Sequence, residues 1–151
     1  RPSASRDGGK VTYTASVVVD TRRLPPPLCI VTRRALPNTE LGEYQFPAGA
    51  DMVYPPYATQ RAPGSSARHE EFDPDRWLPE RAKEVPKYAM SPFSVGNRKC
   101  PADHFSMAEL TLLTAEAART YSFEHASGSD TRPRIGITLR PRALKLRPTP
   151  R

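Results

Sequence analysis

Phe93-Ser94-Val95-Gly96-Asn97-Arg98-Lys99-Cys100-Pro101-Ala102 sets one cysteine behind a glycine turn and two cationic side chains, at the mouth of a helical pattern. Helix N-terminal amides and nearby positive charge both favour the anionic form of a thiol. A cysteine in that setting is a ligand or a nucleophile before it is a packing residue. The competing reading is a free cysteine acting as a small buried hydrophobe, and Cys29, inside the apolar run P-L-C-I-V, fits it. Pro101 suits the first turn of the helix that follows, and Asp103 its positive end. That helix is expected to run to about Tyr121, with Phe105, Ala108, Leu112, Ala115 and Ala118 near one face.

Working outward, the chain of 151 residues can bury one modest core, so one domain is the upper limit. Its 18 prolines and 8 glycines cut it into short pieces, and only 37% of it is hydrophobic. That composition predicts a soluble piece of something longer rather than an independent globule. No apolar run approaches the roughly 20 residues of a membrane span, and no signal peptide is visible. Two cysteines make no disulfide framework, which points to a reducing interior. The formal charge of +7 raises a nucleic-acid reading. However, the arginines are scattered among prolines and acids, with no zinc spacing, helix-turn-helix pattern or stacking motif beside them.

Residues 1–10 read as a flexible leader. Val11 to Leu24, V-T-Y-T-A-S-V-V-V-D-T-R-R-L, has the local preference of a strand, since valine and threonine are stiff at χ1. The prolines at 25, 26 and 27 end whatever precedes them. P-L-C-I-V-T-R-R-A and L-G-E-Y-Q-F-P-A-G-A-D-M-V-Y read as short strands of a small sheet, with Pro47 to Gly49 as a turn. Pro55 to Arg61 starts a helical turn, Ala62 to Glu71 is a loop, and Phe72 to Lys87 is a proline-punctuated meander. Y-S-F-E and the segment from Arg134 to Arg147 read as closing strands. T-R-P-R near Thr131 and the tail R-P-T-P-R read as solvated charge.

The cysteine stretch resembles the haem-ligand loop of the cytochrome P-450 family, F-x-x-G-x-R-x-C-x-G, filled here by Phe93, Gly96, Arg98 and Cys100. Ala102 stands where the family has glycine. D-T-R-R from Asp20 to Arg23 is similar to the family's E-T-L-R, and F-D-P-D-R-W holds Arg76 about fifty residues on. The resemblance covers nearly the whole chain and implies a fold class: α+β, the C-terminal part of the cytochrome P-450 fold. Its order would be a helix with D-x-x-R, a small β-sheet, the meander, the cysteine loop, a long helix and closing strands, within a family that is mainly α when intact. Residues 11–151 would then be a partial domain without the N-terminal part and the central distal helix, and the Val11 segment would be a helix rather than a strand.

By the same resemblance Cys100 would be the proximal thiolate of haem b iron, pushing electron density onto the metal. Arg98 would bind a propionate, Phe93 would pack near the sulfur, and Gly96 would allow the turn that aims backbone amides at it. Asp20, Arg23 and Arg76 would form a buried salt-bridge network, with an aspartate one methylene shorter than the family's glutamate. Leu28, Cys29, Ile30 and Val31 would line the substrate pocket. Arg33 would pair with a propionate, a role that passes to Arg34 if the register slips by one.

The implied function is a haem-dependent monooxygenase, taking an apolar, terpene-like substrate as the actinobacterial members do, in the cytoplasm. The implied partner is an acidic donor such as a ferredoxin, steered by Lys87, Lys99 and His104. No catalytic proton-relay residue is expected in this chain, so the isolated chain is expected to be inactive as an enzyme. The alternatives are a non-catalytic remnant with weak or no haem binding and, further off, a basic nucleic-acid-binding module.

Overall fold

The computed structural model describes residues 8–86, 88–136 and 138–151, with side chains from residue 12 onward. Of the leader expected over residues 1–10, residues 1–7 lie outside the described residues. The first helix, α1, already holds Gly8–Arg23.

The helix forms against the local β preference of its valines and threonines. Ser16, Asp20 and Arg23 recur at helical spacing and are buried together, while Val18 is buried on another side of the same helix. Two flanks are thereby shielded, one by the meander and one by the long helix near the C-terminus. Tertiary packing of this kind overrides propensity. The hydroxyls accommodate the helix by bonding back one turn: Ser16 Oγ to the Thr12 carbonyl at 3.3 Å and Thr21 Oγ1 to the Val17 carbonyl at 2.8 Å. After a last amide bond from Leu24 to Asp20, the three prolines stop the helix.

The chain then makes one hairpin excursion. β1 (Val31–Arg34) pairs antiparallel with β4 (Asp51–Tyr54), in the register Val31↔Tyr54 to Arg34↔Asp51. Inside the excursion β2 (Thr39–Leu41) pairs with β3 (Tyr44–Phe46), with Gly42 at φ +61° taking the left-handed turn position. The Pro47–Gly49 turn is closed by the Ala50 amide on the Pro47 carbonyl at 3.1 Å. Leu28, Cys29 and Ile30 precede β1 rather than belonging to it.

One short helical turn, α2 (Pro56–Thr59), leads into the loop; the meander holds a 3₁₀ turn at Pro74–Trp77 and α3 (Pro79–Ala82). The long helix α4 spans Asp103–Thr120, so Pro101 lies two residues ahead of it rather than in its first turn. The apolar face expected on α4 is turned the other way. Phe105, Leu112 and Leu113 are exposed, and the buried positions are Asp103 and Thr111. The helix is apolar on more than one side, and α1 takes the side that carries the polar residues.

The closing strands are more extensive than the sequence suggests. β5 (Tyr121–His125) pairs with β8 (Leu146–Pro150), and β6 (Asp130–Arg134) pairs with β7 (Arg140–Ala143). The T-R-P-R and R-P-T-P-R segments, expected to be solvated charge, are therefore strands. The Arg151 amide donates to the Thr120 carbonyl at 3.0 Å. By the two-residue period, Arg147 and Thr149 share that edge and Pro148 and Pro150 face away, where a missing N–H costs nothing. The described residues form an α+β arrangement of two long and two single-turn α-helices with four two-stranded ribbons.

At its centre the packing is polar. Among the described residues Val18 and Ala35 are the buried hydrophobics, whereas Asp20, Arg23, Gln60 and Arg76 are all at or below 2% exposure. Arg23 Nε donates to Asp20 Oδ1 at 2.7 Å; its terminal nitrogens reach the carbonyls of His69 and Glu71. Asp20 also accepts the Asp73 amide at 2.7 Å and the Trp77 indole N–H at 2.9 Å. Arg76 Nε stands 3.5 Å from Asp20 Oδ1, and its terminal nitrogens are taken by Ser66 Oγ and the carbonyls of Ala67 and Arg68. Burial first, then the like charge of Arg23, lower the Arg76 pKa, and Asp20 opposes both.

Removing one partner from such a network strands the other charges. Asp20→Ala should cost on the order of 3–5 kcal/mol in denaturant unfolding; a loss below about 1 kcal/mol would show that the carboxylate is dispensable. Asp73 adds an acid dependence. The Arg81 hydrogen bond above all, with the charges of Arg68 and Arg76, holds its carboxyl below the usual value of 3.8 despite burial. A depressed folded pKa contributes stability that is complete above the unfolded value and lost as pH falls through the folded one. Asp73→Asn should therefore lower the unfolding midpoint at neutral pH and flatten its decline below about pH 4; parallel wild-type and variant curves would contradict the assignment.

Candidate functional site

The cysteine loop hangs from this polar core. Gln60, fully buried, donates from Nε2 to the Arg23 carbonyl at 3.1 Å and accepts the Ser91 amide on Oε1 at 2.9 Å. Ser91 Oγ is 2.7 Å from the Tyr54 hydroxyl at the end of β4, so helix, ribbon and loop meet at Ser91. From there the Ser94 amide bonds the Ser91 carbonyl at 3.0 Å, and the Cys100 amide returns to the Phe93 carbonyl at 2.9 Å. That last bond closes the loop and fixes the position of the cysteine.

Two residues in the loop are left-handed, Ser94 at φ +64° and Gly96 at φ +72°. A Cβ on Gly96 would meet nothing within 4 Å, so the glycine is needed for its backbone hand and not for space. Ser94 adopts the same hand with a side chain, a conformation that persists only where its surroundings hold it. Arg33 Nη2 donates to Ser94 Oγ at 2.8 Å across from β1. Arg34, by contrast, is occupied on the surface by Asp51, with two bonds of 2.8 Å. Ala102, at φ −91° and ψ 15°, sits where any L residue is at ease.

Cys100 is half-buried, and neither it nor Cys29 is in a disulfide. Phe93 is half-buried, with the Arg22 guanidinium 3.7 Å above its ring centroid. Arg98, in the 3₁₀ turn Gly96–Arg98, is exposed and holds no ion pair or hydrogen bond among the described residues. Lys99 is engaged with Asp103, whose carboxyl is pulled below its usual range first by that contact and further by the His104 amide, against desolvation. His104 is fully open to solvent, and Lys87 lies outside the described residues. A depression of about 390 Å³ beside the loop is lined by Val19, Pro92, Phe93, Val95 and Met107. Leu28, Cys29, Ile30 and Val31 do not line it; Leu28 and Ile30 are exposed and the other two half-buried.

The donor set has a definite chemistry. Among the described residues no cluster of three histidine, cysteine or carboxylate side chains could hold a bare metal ion. Cys100 can therefore supply one bond to a metal whose other ligands come from elsewhere. Around it stand an uncommitted guanidinium, Arg98, and a second, Arg33, bound only to neutral oxygens. Exposed apolar side chains lie on the neighbouring segments. A thiol, cations and apolar surface fit a flat apolar macrocycle that carries its own metal and anionic side groups.

The comparisons with known proteins agree. The profile of the family described as Cytochrome P450 matches residues 1–147. This chain belongs to the cytochrome P450 family. Over 145 residues it is 40% identical to the cyclooctatin synthase of Streptomyces melanosporofaciens, covering 96% of this chain and 32% of that P450. It is 32% identical to the pentalenene oxygenase of Streptomyces avermitilis, covering all of this chain and 34% of the relative. The chain thus spans about a third of the length of these relatives. The crystal structure of the cytochrome P450DA heme domain superposes with a TM-score of 0.83 at 22% identity, over 91% of this chain and 30% of that one, which shows the shared fold.

Sequence reasoning missed Gln60, Ser91, Tyr54 and Arg22. None belongs to a quoted motif except Arg22, which fills a variable position of D-T-R-R. A buried glutamine has no periodic signature, and its role is visible only once residues 23, 60 and 91 are brought together.

Proposed function

We propose that Cys100 is the axial thiolate of a haem b and that this chain is the ligand-bearing part of a P450 monooxygenase acting on an apolar, terpene-like substrate. The observation that carries this reading is the closed loop from Phe93 to Cys100, anchored at Ser91 on buried Gln60 and at Ser94 on Arg33. It holds one thiol in a fixed place and leaves Arg98 free to meet an anionic side group. The substrate class follows from the names of the relatives, a cyclooctatin synthase, a pentalenene oxygenase and a cyclooctat-9-en-7-ol 5-monooxygenase.

When bound, haem would supply dioxygen activation, with two electrons and two protons converting O2 to one inserted oxygen atom and one water. The residues of this chain do the rest. Cys100 would hold the metal through its thiolate, with its amide tied to the Phe93 carbonyl. Arg98 and Arg33 are the cations suited to the propionates, Arg33 while it steadies Ser94. Asp20, Arg23 and Arg76 keep the segments beneath the loop in register.

Leu28, Cys29, Ile30 and Val31 offer apolar surface to substrate, and the distal wall and proton relay would belong to the rest of a longer haem domain. Electrons would come from an acidic donor such as a ferredoxin, meeting Lys99 and His104 with Lys87. Since Lys99 is already paired with Asp103, much of its field is spent locally. No described helix is long and apolar enough to cross a membrane, in keeping with a cytoplasmic enzyme.

Haem titration followed by the reduced carbon-monoxide difference spectrum tests this reading beside Cys100→Ala. The wild type should give the red-shifted Soret band of thiolate ligation, and the variant should lose it. The same spectrum from both proteins, or haem uptake with no such band, would rule out Cys100 as the ligand.

A further inference from the structure

Arg22 occupies a place that the rest of the site does not explain. It lies in the last turn of α1, one residue before Arg23. Its guanidinium stacks on Phe93 at 3.7 Å, and its Nε–H is buried without an acceptor among the described residues. Phe93 in turn holds the Cys100 amide on its carbonyl. A half-buried guanidinium with one buried N–H left unpaired, next to the cysteine loop, is favoured by a negative charge nearby. Burial lowers the proton affinity of Arg22, against the influence of the nearby Cys100. No carboxylate is bonded to Arg22, whereas Arg23, Arg34, Arg68, Arg81, Arg119 and Arg132 each have one.

We propose that Arg22 is a positioning and electrostatic residue that raises the reduction potential of the P450 centre, by stacking a fixed positive charge on Phe93 beside Cys100. The inference rests on the haem-thiolate reading. Ferric-to-ferrous reduction adds one electron, from dithionite in the test and from an iron–sulfur donor in the proposed reaction. No proton is required at Arg22, which keeps its charge throughout. A cation in a poorly solvated place favours the state with more negative charge.

The test is a reductive titration of the haem-loaded protein, comparing wild type with Arg22→Gln, Arg22→Leu and Arg22→Lys, each first checked for the reduced carbon-monoxide band. Arg22→Gln and Arg22→Leu should keep the band and shift the midpoint to more negative potential. Arg22→Lys, which keeps the charge without the planar stack, should lie between them and wild type. Unchanged midpoints in variants that keep the band would overturn the inference while leaving Cys100 ligation intact. Should the uncharged variants fail to load haem, Arg22→Lys decides: a midpoint more negative than wild type supports the stacked charge, and a wild-type midpoint overturns it. Absence of the band in the wild type would overturn the haem reading and this inference together.

Discussion

A carboxylate with no exposed surface, Asp20, organises this molecule. It accepts hydrogen bonds from the Arg23 guanidinium, the Asp73 amide and the Trp77 indole, and it faces Arg76 at 3.5 Å. One side chain of α1 thus binds its own helix, the start of the meander and its 3₁₀ turn. The shorter acid does not lose its place, because a backbone amide and an indole supply donors that need no long reach. A buried ion pair contributes little net stability, since desolvation offsets attraction. Its value is geometric: donors from Arg23, Asp73 and Trp77 converge on one carboxylate, so the segments can settle in one register. In a chain with so few buried apolar residues, that register is the main structural constraint.

The constraint passes to the functional loop through a neutral relay. Gln60 takes the Arg23 carbonyl on one side and the Ser91 amide on the other, and Ser91 opens the loop that Cys100 closes. Charge stays at the Asp20 end and Arg22 brings it back above Phe93, so network and cysteine loop are joined by packing as well as by hydrogen bonds. The exposed side chains Phe105, Leu112 and Leu113 on α4 show that the apolar surface of this P450 segment is not consumed within the described residues. This accords with a chain spanning about a third of its relatives.

Much of this was legible in the sequence, for identifiable reasons. The cysteine loop and the long helix carry local signals: a glycine that takes a left-handed turn, and a long stretch free of proline. The D-x-x-R helix was legible only through family resemblance, since V-T-Y-T-A-S-V-V-V alone favours a strand and becomes helical through burial on two sides. The face of α4 was misassigned because apolar residues occur around more than one side, and the buried side is chosen by α1, far away in sequence. The R-P-T-P-R tail reads as solvated charge because proline suppresses strand signals. It is a strand because its prolines fall on the edge that β5 does not use. Gln60 and Arg22 had no signal of their own, as their roles arise from partners 31 and 71 residues away.

The buried polar network, acting through Gln60, holds the cysteine loop in place. Hydrogen exchange at the Cys100 amide in Gln60→Leu against wild type tests it most directly, with the Arg151 amide at the β5–β8 ribbon as an internal reference. Exchange at Cys100 should accelerate markedly while Arg151 is unaffected. Equal rates at Cys100 in both proteins, or the same acceleration at both amides, would contradict it.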